Sequence, residues 1–264
     1  MPKGTVSNWL LGTHNPANRL HRFFQAVPSP ELSYVIGVVY GDGYVTEDKG
    51  NGIVGFTNKD KSLLEHFLLC LSTIFNTEKA GRITKGTRYG VSKATIGSRL
   101  LALFLQKPLV EIAPFIEEYP ASFLRGFFDA EGHATVTIGR ERLRASVGAS
   151  NTDIEVLQYI SGLLRDKFGI SSRITVGREP LPTAIRGRSV NFTKPVHRLS
   201  ICRFCDLETF VTRIGFESRR KQTILENAVL FLRGHGSRTA VFFWHRSYAK
   251  IGSRWCKRTA PLPL

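Results

Sequence analysis

The sequence predicts an α+β protein of two similar halves. Each runs helix, hairpin, helix, hairpin, helix, with antiparallel sheets covered on one side only. Three observations predict it: an internal duplication, a period-two alternation in the strands, and an acid-glycine step repeated after an apolar helix. The chain has 264 residues, 42% of them hydrophobic and 11% aromatic, which suits folded halves with cores of their own and argues against wholesale disorder.

The duplication comes first because repeats decide architecture. VGFTNKDKSLLEHFLLCLSTIFN, from Val54, is matched by VGASNTDIEVLQYISGLLRDKFG, from Val147, at an offset of 93 residues. Identical pairs include Gly55/Gly148, Asn58/Asn151, Asp60/Asp153, Leu64/Leu157 and Phe75/Phe168. Each block reads as a strand end, a turn and an amphipathic helix, with the aspartate favourable near the helix start. Upstream, VIGVVYGDG (35–43) is matched by LRGFFDAEG (124–132) at an offset of 89, so the second hairpin carries a short insertion.

Taken in order, GTVSNWLLGTHNP from Gly4 resembles the second helix and exit of a helix-turn-helix, and residues 1–30 are expected to form an N-terminal helical extension. The first half spans 31–119 and the second 120–232, with a helical linker at 108–122. Its strands alternate weakly in the first half, where Tyr44/Thr46, Arg82/Thr84 and Arg88/Ser92 are the polar positions. They alternate clearly in the second: His133, Thr135 and Thr137 against Ala134, Val136 and Ile138, then Arg142, Arg144 and Ser146 against Leu143, Ala145 and Val147. Arg173-Ile-Thr175-Val and Arg198-Leu-Ser200-Ile continue the pattern. Period two with one polar face means a sheet packed on one side and open on the other. Pro180, Pro182 and Gly187 predict a long loop. Residues 233–264 hold seven Lys/Arg and no Asp/Glu and read as a basic tail, disordered without its partner.

Charge names the partner class. Lys plus Arg is 37 against 21 Asp plus Glu, a net +16. Mixed-sign charge would suffice for solubility, so this excess points to a polyanion, and no basic amphipathic helix points to a membrane. No run reaches the 18 apolar residues of a membrane span, and MPKGTVSNWLLG lacks the core of a signal peptide. The expected location is the cytoplasm of a prokaryote or archaeon, or an organelle, with no secretion. Cys70, Cys202, Cys205 and Cys256 form no disulfide framework. Packing is the simpler reading of Cys202 and Cys205 than zinc with Cys256 and His245.

The duplicated helices carry the chemistry. Gly37 and Gly41, like Gly126 and Ala130, are four apart and share a helix face, and small residues let backbones approach closely. Asp42-Gly43 and Glu131-Gly132 then place a carboxylate at each helix end, where the dipole is already negative. A divalent cation reverses that penalty, since carboxylates, water and phosphate oxygens are a magnesium-type ligand set. Such ions bridging a phosphate suit phosphodiester hydrolysis.

These segments resemble the paired signature of the LAGLIDADG homing endonucleases in their two-motif, monomeric, intron-encoded and archaeal-like form. FLRGFFDAEG matches closely and Val35–Gly43 by character, and the likeness covers about residues 31–232. The resemblance implies two αββαββα halves whose sheets form a saddle over DNA with the motif helices packed at their interface. It implies cleavage of both strands across the minor groove with Mg2+, two or more ions, Mn2+ able to substitute. Asp42 and Glu131 inherit the metal-binding role, with the carbonyls of Gly41 and Ala130 as helpers. Asn58 and Asn151 fall where the family often organises metal-bound water, with helix capping as the competing role. Lys221 falls where it often places a basic residue near the scissile phosphate. Lys93 and Lys107 are the candidates for its counterpart. Tyr40 stands where the second motif has Asp129, a packing or capping position. The open-face residues named above, Arg88 included, become the expected contacts to a long, asymmetric or semi-palindromic duplex site. The same scaffold also serves RNA maturases and inactive DNA-binding regulators, so intron RNA is the alternative partner. The first and last residues lack the signature of an uninterrupted intein.

Overall fold

A computed structural model describes residues 24–48, 51–86, 90–178, 182–185, 188–191, 194–252 and 254–258. The chain divides into two compact units, Met1–Gly126 and Phe127–Leu264. The expected N-terminal extension lies almost wholly outside the described residues, as does Arg88. Both units follow the α+β order expected, with antiparallel sheets.

In the first unit α1 (Pro30–Tyr40) starts at Ser29, whose side chain accepts from the Leu32 amide at 3.1 Å. Pro30 opens its first turn, the one place where a helix loses nothing by lacking an N–H. β1 (Gly43–Asp48), β2 (Asn51–Asn58), β3 (Arg82–Lys85) and β4 (Ser92–Gly97) form a sheet in the order β1-β2-β4-β3. α2 (Lys61–Ile74) and α3 (Arg99–Leu105) pack on one side of it. Val54, Phe56, Ala94 and Ile96 point to those helices and meet Leu64, Phe67, Leu71 and Leu101, all at most 3% exposed. Burying each of these side chains larger than alanine stabilises by about 1.5–3 kcal/mol.

Then α4 (Leu109–Glu118) leads into α5 (Pro120–Ala130), the second duplicated helix. Its first turns belong to the first unit. Ser33 Oγ donates to the Tyr119 carbonyl at 2.9 Å, and a Cβ on Gly126 would collide with the carbonyl of Tyr34 and lie 3.1 Å from the Val38 amide nitrogen. Small-residue packing of α5 on α1 is thus steric necessity at Gly126.

The second unit repeats the plan. β5 (Gly132–Gly139), β6 (Arg142–Asn151), β7 (Arg173–Arg178) and β10 (Val196–Ile201) form a sheet in the order β5-β6-β10-β7, with α6 (Ile154–Phe168) and α7 (Phe204–Arg213) following its two hairpins. Between β7 and β10 the expected long loop contains a separate hairpin, β8 (Pro182–Ile185) with β9 (Arg188–Asn191).

The C-terminal end departs from the expected unstructured tail. α8 (Arg219–Ser247) continues well past residue 232 and bends at Gly236, where φ is 66° and ψ 170°. Only glycine adopts that conformation readily. Phe231 and Trp244 would stand about 20 Å apart along a straight helix, yet their rings are 6.2 Å apart. The two limbs therefore fold back on each other, and β11 (Tyr248–Ile251) with β12 (Arg254–Lys257) closes the unit as a hairpin. Composition misled here: the segment is basic, but its aromatics supply enough apolar surface to fold.

Candidate functional site

Asp42 and Glu131 occupy equivalent places. Asp42 is exposed in the turn between α1 and β1, and Glu131 is half-buried in the turn between α5 and β5. The amide of Gly41 closes α1 on the carbonyls of Gly37 and Val38, and that of Glu131 closes α5 on Phe127 at 2.9 Å. The glycine after each acid is required for space. A Cβ on Gly43 would come within 2.6 Å of Val39 Cα, and one on Gly132 would collide with the Phe128 carbonyl. Neither takes the positive φ of a helix-terminating glycine. The acid-glycine step is what lets a strand leave flush against the helix that precedes it.

Among the described residues the sequence-derived polar positions fall on one face of each sheet, except Ser92, which pairs with Asn58 and so takes the helix-covered side. In the second unit direct partners are Thr135 with Ser146, Thr137 with Arg144, and His133 with Gly148. Ser200 pairs with both Gly148 and Arg173, and Arg198 with both Ser150 and Thr175. Directly opposed residues share a face, so His133, Thr135, Thr137, Arg142, Arg144, Ser146, Arg173, Thr175, Arg198 and Ser200 lie on the open side. Leu143, Val147, Leu199 and Ile201, at most 1% exposed, lie on the other. In the first unit Tyr44 pairs with Gly55, Thr46 with Ile53, Arg82 with Thr95 and Thr84 with Lys93, placing Tyr44, Thr46, Arg82 and Thr84 on one open face.

That register adds residues which motif reading missed. Thr57 is opposite Lys93 on the first open face, one step beyond the Gly43–Phe56 pair. Ser150 is its counterpart, one step beyond Gly132–Ala149. Thr57 and Ser150 thus flank the two acids on the open side. Strand alternation counted back from Tyr44 would have found them.

Asn58 and Asn151 fall on the opposite parity, facing the helices. Asn58 Oδ1 accepts from the Asp60 amide and Asn151 Oδ1 from the Asp153 amide, both at 2.9 Å. Asp60 then caps α2 through Ser62, and Asp153 caps α6 through Glu155 and Val156. The helix caps are thus the aspartates, and each asparagine, for which capping was the competing role, makes the turn that precedes its cap.

Lys221, expected near the scissile phosphate, lies at the C-terminal end of α5. It is 9% exposed, and its ammonium donates to the carbonyls of Phe128 at 3.0 Å and Asp129 at 2.7 Å. It caps the last turn of α5. Asp129, fully buried, returns the favour by accepting from the amides of Glu217 at 3.0 Å and Ser218 at 3.1 Å, at the start of α8. Asp129 therefore fills the capping position anticipated for it. Of the possible counterparts, Lys107 pairs with Glu111 at 2.8 Å in solvent, and Lys93 is exposed on the first open face.

The ring of Tyr44 lies over Gly55, and His133 Nε2 lies where a Cβ on Gly148 would be 2.8 Å away. Loss of hydration against the sheet, reinforced by the charges of Arg198 and Lys221, holds the His133 imidazole below its ordinary pKa. Among the described residues no group of three His, Cys, Asp or Glu gathers into a metal site, and no helix is long and apolar enough to cross a membrane.

Comparisons with known proteins agree with this plan. The chain is 30% identical over 236 residues to an uncharacterized protein of Methanocaldococcus jannaschii, covering 88% of this chain and 83% of that one. It is 26% identical over 239 residues to the DNA polymerase II large subunit of Thermococcus kodakarensis, covering 84% of this chain but only 12% of that protein. Among solved structures, the homing endonuclease I-DmoI in complex with DNA and Mn superposes with a TM-score of 0.51 at 21% identity, covering 71% of this chain and 97% of that one. Its complex with DNA and Ca gives 0.52 at 20% identity, covering 75% and 97%. These superpositions show a shared fold. The LAGLIDADG-like domain profile matches residues 29–107 and again 118–215, and the chain belongs to the LAGLIDADG family.

Proposed function

We propose that this protein is a site-specific endonuclease that hydrolyses both strands of duplex DNA across the minor groove, as a monomer with a divalent metal. The carrying observation is the pair of acid-glycine turns. Each delivers one carboxylate to the first strand of a sheet whose open face holds Arg, Thr, Ser and Tyr or His side chains. A regulator that only binds DNA needs the faces but has no use for two acids at helix ends, where each is destabilising without a cation.

The donors fit a hard ion. Asp42 and Glu131 offer carboxylate oxygens and Gly41 and Ala130 backbone carbonyls, with the remaining ligands left to phosphate and water, the usual division for magnesium. Mn2+ offers the same preferences. When bound, such ions supply a water of lowered pKa and neutralise the leaving oxygen. The chain's own part is placement. Lys221 and Asp129 fix the end of α5, and Gly132 lets β5 turn away at once, so Glu131 has little freedom. Arg82, Arg142, Arg144, Arg173 and Arg198 neutralise phosphates, while Thr, Ser and Tyr side chains on the same faces read base edges.

The test is to incubate the protein with DNA carrying the uninterrupted host locus, with and without Mg2+ or Mn2+. Double-strand breaks at one site, dependent on the ion, are expected. Binding with no cleavage in either ion would replace the nuclease by a binding protein on the same fold.

A further inference from the structure

We infer that Tyr44 and His133 are matched substrate-positioning residues, each holding the sugar-phosphate backbone of the strand cut at its own acid, with Gly55 and Gly148 as the seats of their rings. This rests on the endonuclease reading above and narrows the part of these two side chains within it from base readout to the backbone beside the cut.

Each ring is the first open-face side chain after an acid. Tyr44 follows Asp42 by two places, and His133 follows Glu131 by two. Tyr44 is directly opposite Gly55 and His133 directly opposite Gly148. The tip of each ring lies across that glycine: a Cβ on Gly55 would stand 2.6 Å from the Tyr44 hydroxyl oxygen, and one on Gly148 would stand 2.8 Å from His133 Nε2. Any side chain at either position would displace the ring. Glycine inside a strand weakens it and marks a place of close approach, and both units carry one at the same position.

An aromatic ring laid over a strand glycine can serve stability alone, but that role would not fix the rest of the row. Thr95 is opposite Gly55, and Arg82 is opposite Thr95. Ser200 is opposite Gly148, and Arg173 is opposite Ser200. Polar-tipped ring, glycine, hydroxyl and arginine thus cross each sheet in the same order. One row farther from the acids the match ends: Thr46 is opposite Ile53, whereas Thr135 is opposite Ser146. The sugar-phosphate backbone is the same at any two cuts, and the base pairs are not. Residues matched in kind therefore suit the backbone, and residues that differ suit the bases. A phenol and an imidazole can each donate a hydrogen bond to a phosphate or sugar oxygen.

The experiment uses the full chain in Mg2+ and a duplex carrying the uninterrupted host locus, with a different dye on each strand. The two cuts are timed separately in single turnover, and affinity is read by gel shift without metal. Tyr44→Ala should slow the cutting of one strand by about 10- to 100-fold and His133→Ala that of the other, with affinity close to wild type. Gly55→Ala keeps the ring but moves its tip, and should slow the same strand as Tyr44→Ala. It should add nothing when Tyr44 is already Ala, because the two act through one contact. His133→Tyr, which brings in the ring of the first unit, should restore most of the rate lost in His133→Ala. Unchanged cutting by Tyr44→Ala and His133→Ala, or equal slowing of both strands by each, overturns this inference and leaves the endonuclease reading standing, with the rings only covering their glycines. A loss of cutting that weaker binding accounts for in full also overturns it. Absence of cutting by the wild-type protein overturns both.

Discussion

The two duplicated helices end in the same acid-glycine step but are anchored in different ways. In the second unit Asp129, two residues before Glu131, is fully buried and caps α8 through the amides of Glu217 and Ser218. Lys221 answers by capping α5. In the first unit the position is Tyr40, whose ring meets Phe123 edge-on at 6.2 Å. The helix corresponding to α8 there is α4, and the residue standing where Ser218 stands is Pro108, with no side-chain cap. Proline has no amide hydrogen to donate, so one of the two donors that Asp129 serves does not exist in the first unit. An acid buried there would be half unsatisfied, and a buried unpaired carboxylate is costly. The difference teaches that the residue two before each acid follows the local demands of the neighbouring helix, whereas the acid itself is common to both units.

Breaking the second-unit clasp should have the largest effect on folding. Asp129→Ala leaves the Glu217 and Ser218 amides without their acceptor and strips the clasp of its negative charge, and we expect a loss of about 3–5 kcal/mol in denaturant unfolding. A loss below about 1 kcal/mol would mean the clasp does not hold these helices. Lys221→Met removes two charge-assisted hydrogen bonds and should cost about 2–3 kcal/mol. In the first unit Lys107→Met, at one of the two candidate counterparts, removes an exposed i,i+4 pair with Glu111 and should stay within about 0.5 kcal/mol. Equal costs for the two lysines would abolish the asymmetry between the units.

A further pair of substitutions separates the two faces of one strand. Leu143, 1% exposed, should lose about 2–5 kcal/mol on truncation to Ala. Arg144→Ala should change thermal stability by no more than about 0.5 kcal/mol while weakening duplex binding. If the costs reverse, the register of β6 is off by one residue.

Much of this was legible in the sequence where the signal was periodic. The Val54 and Val147 blocks announced two halves, and the alternation from His133 to Val147 assigned every polar residue to one face of the second sheet. Two kinds of feature were not legible. Contacts set by distant partners could not be read locally: nothing near Lys221 in sequence reveals the Phe128 and Asp129 carbonyls to which it donates. Asn58 and Asn151 were noticed because they repeat, yet repetition does not tell which face a residue takes. Thr57 and Ser150, one place earlier, flank the acids on the open side but differ in identity between the halves. The C-terminal segment was read by charge, whereas its structure is decided by Gly236 and by Phe231, Trp244, Tyr248 and Trp255.

The central claim is that Asp42 and Glu131 serve chemistry rather than binding. Asp42→Asn and Glu131→Gln keep size and a carbonyl oxygen but lose the charge that holds a hard cation. The direct measurement pairs a gel shift with a cleavage assay on the same target duplex in Mg2+. Both variants should bind as tightly as wild type, or more so as repulsion of phosphate falls, while double-strand cleavage drops by orders of magnitude. Full cleavage by both variants would contradict the account, and full cleavage by one would remove that residue from the active site.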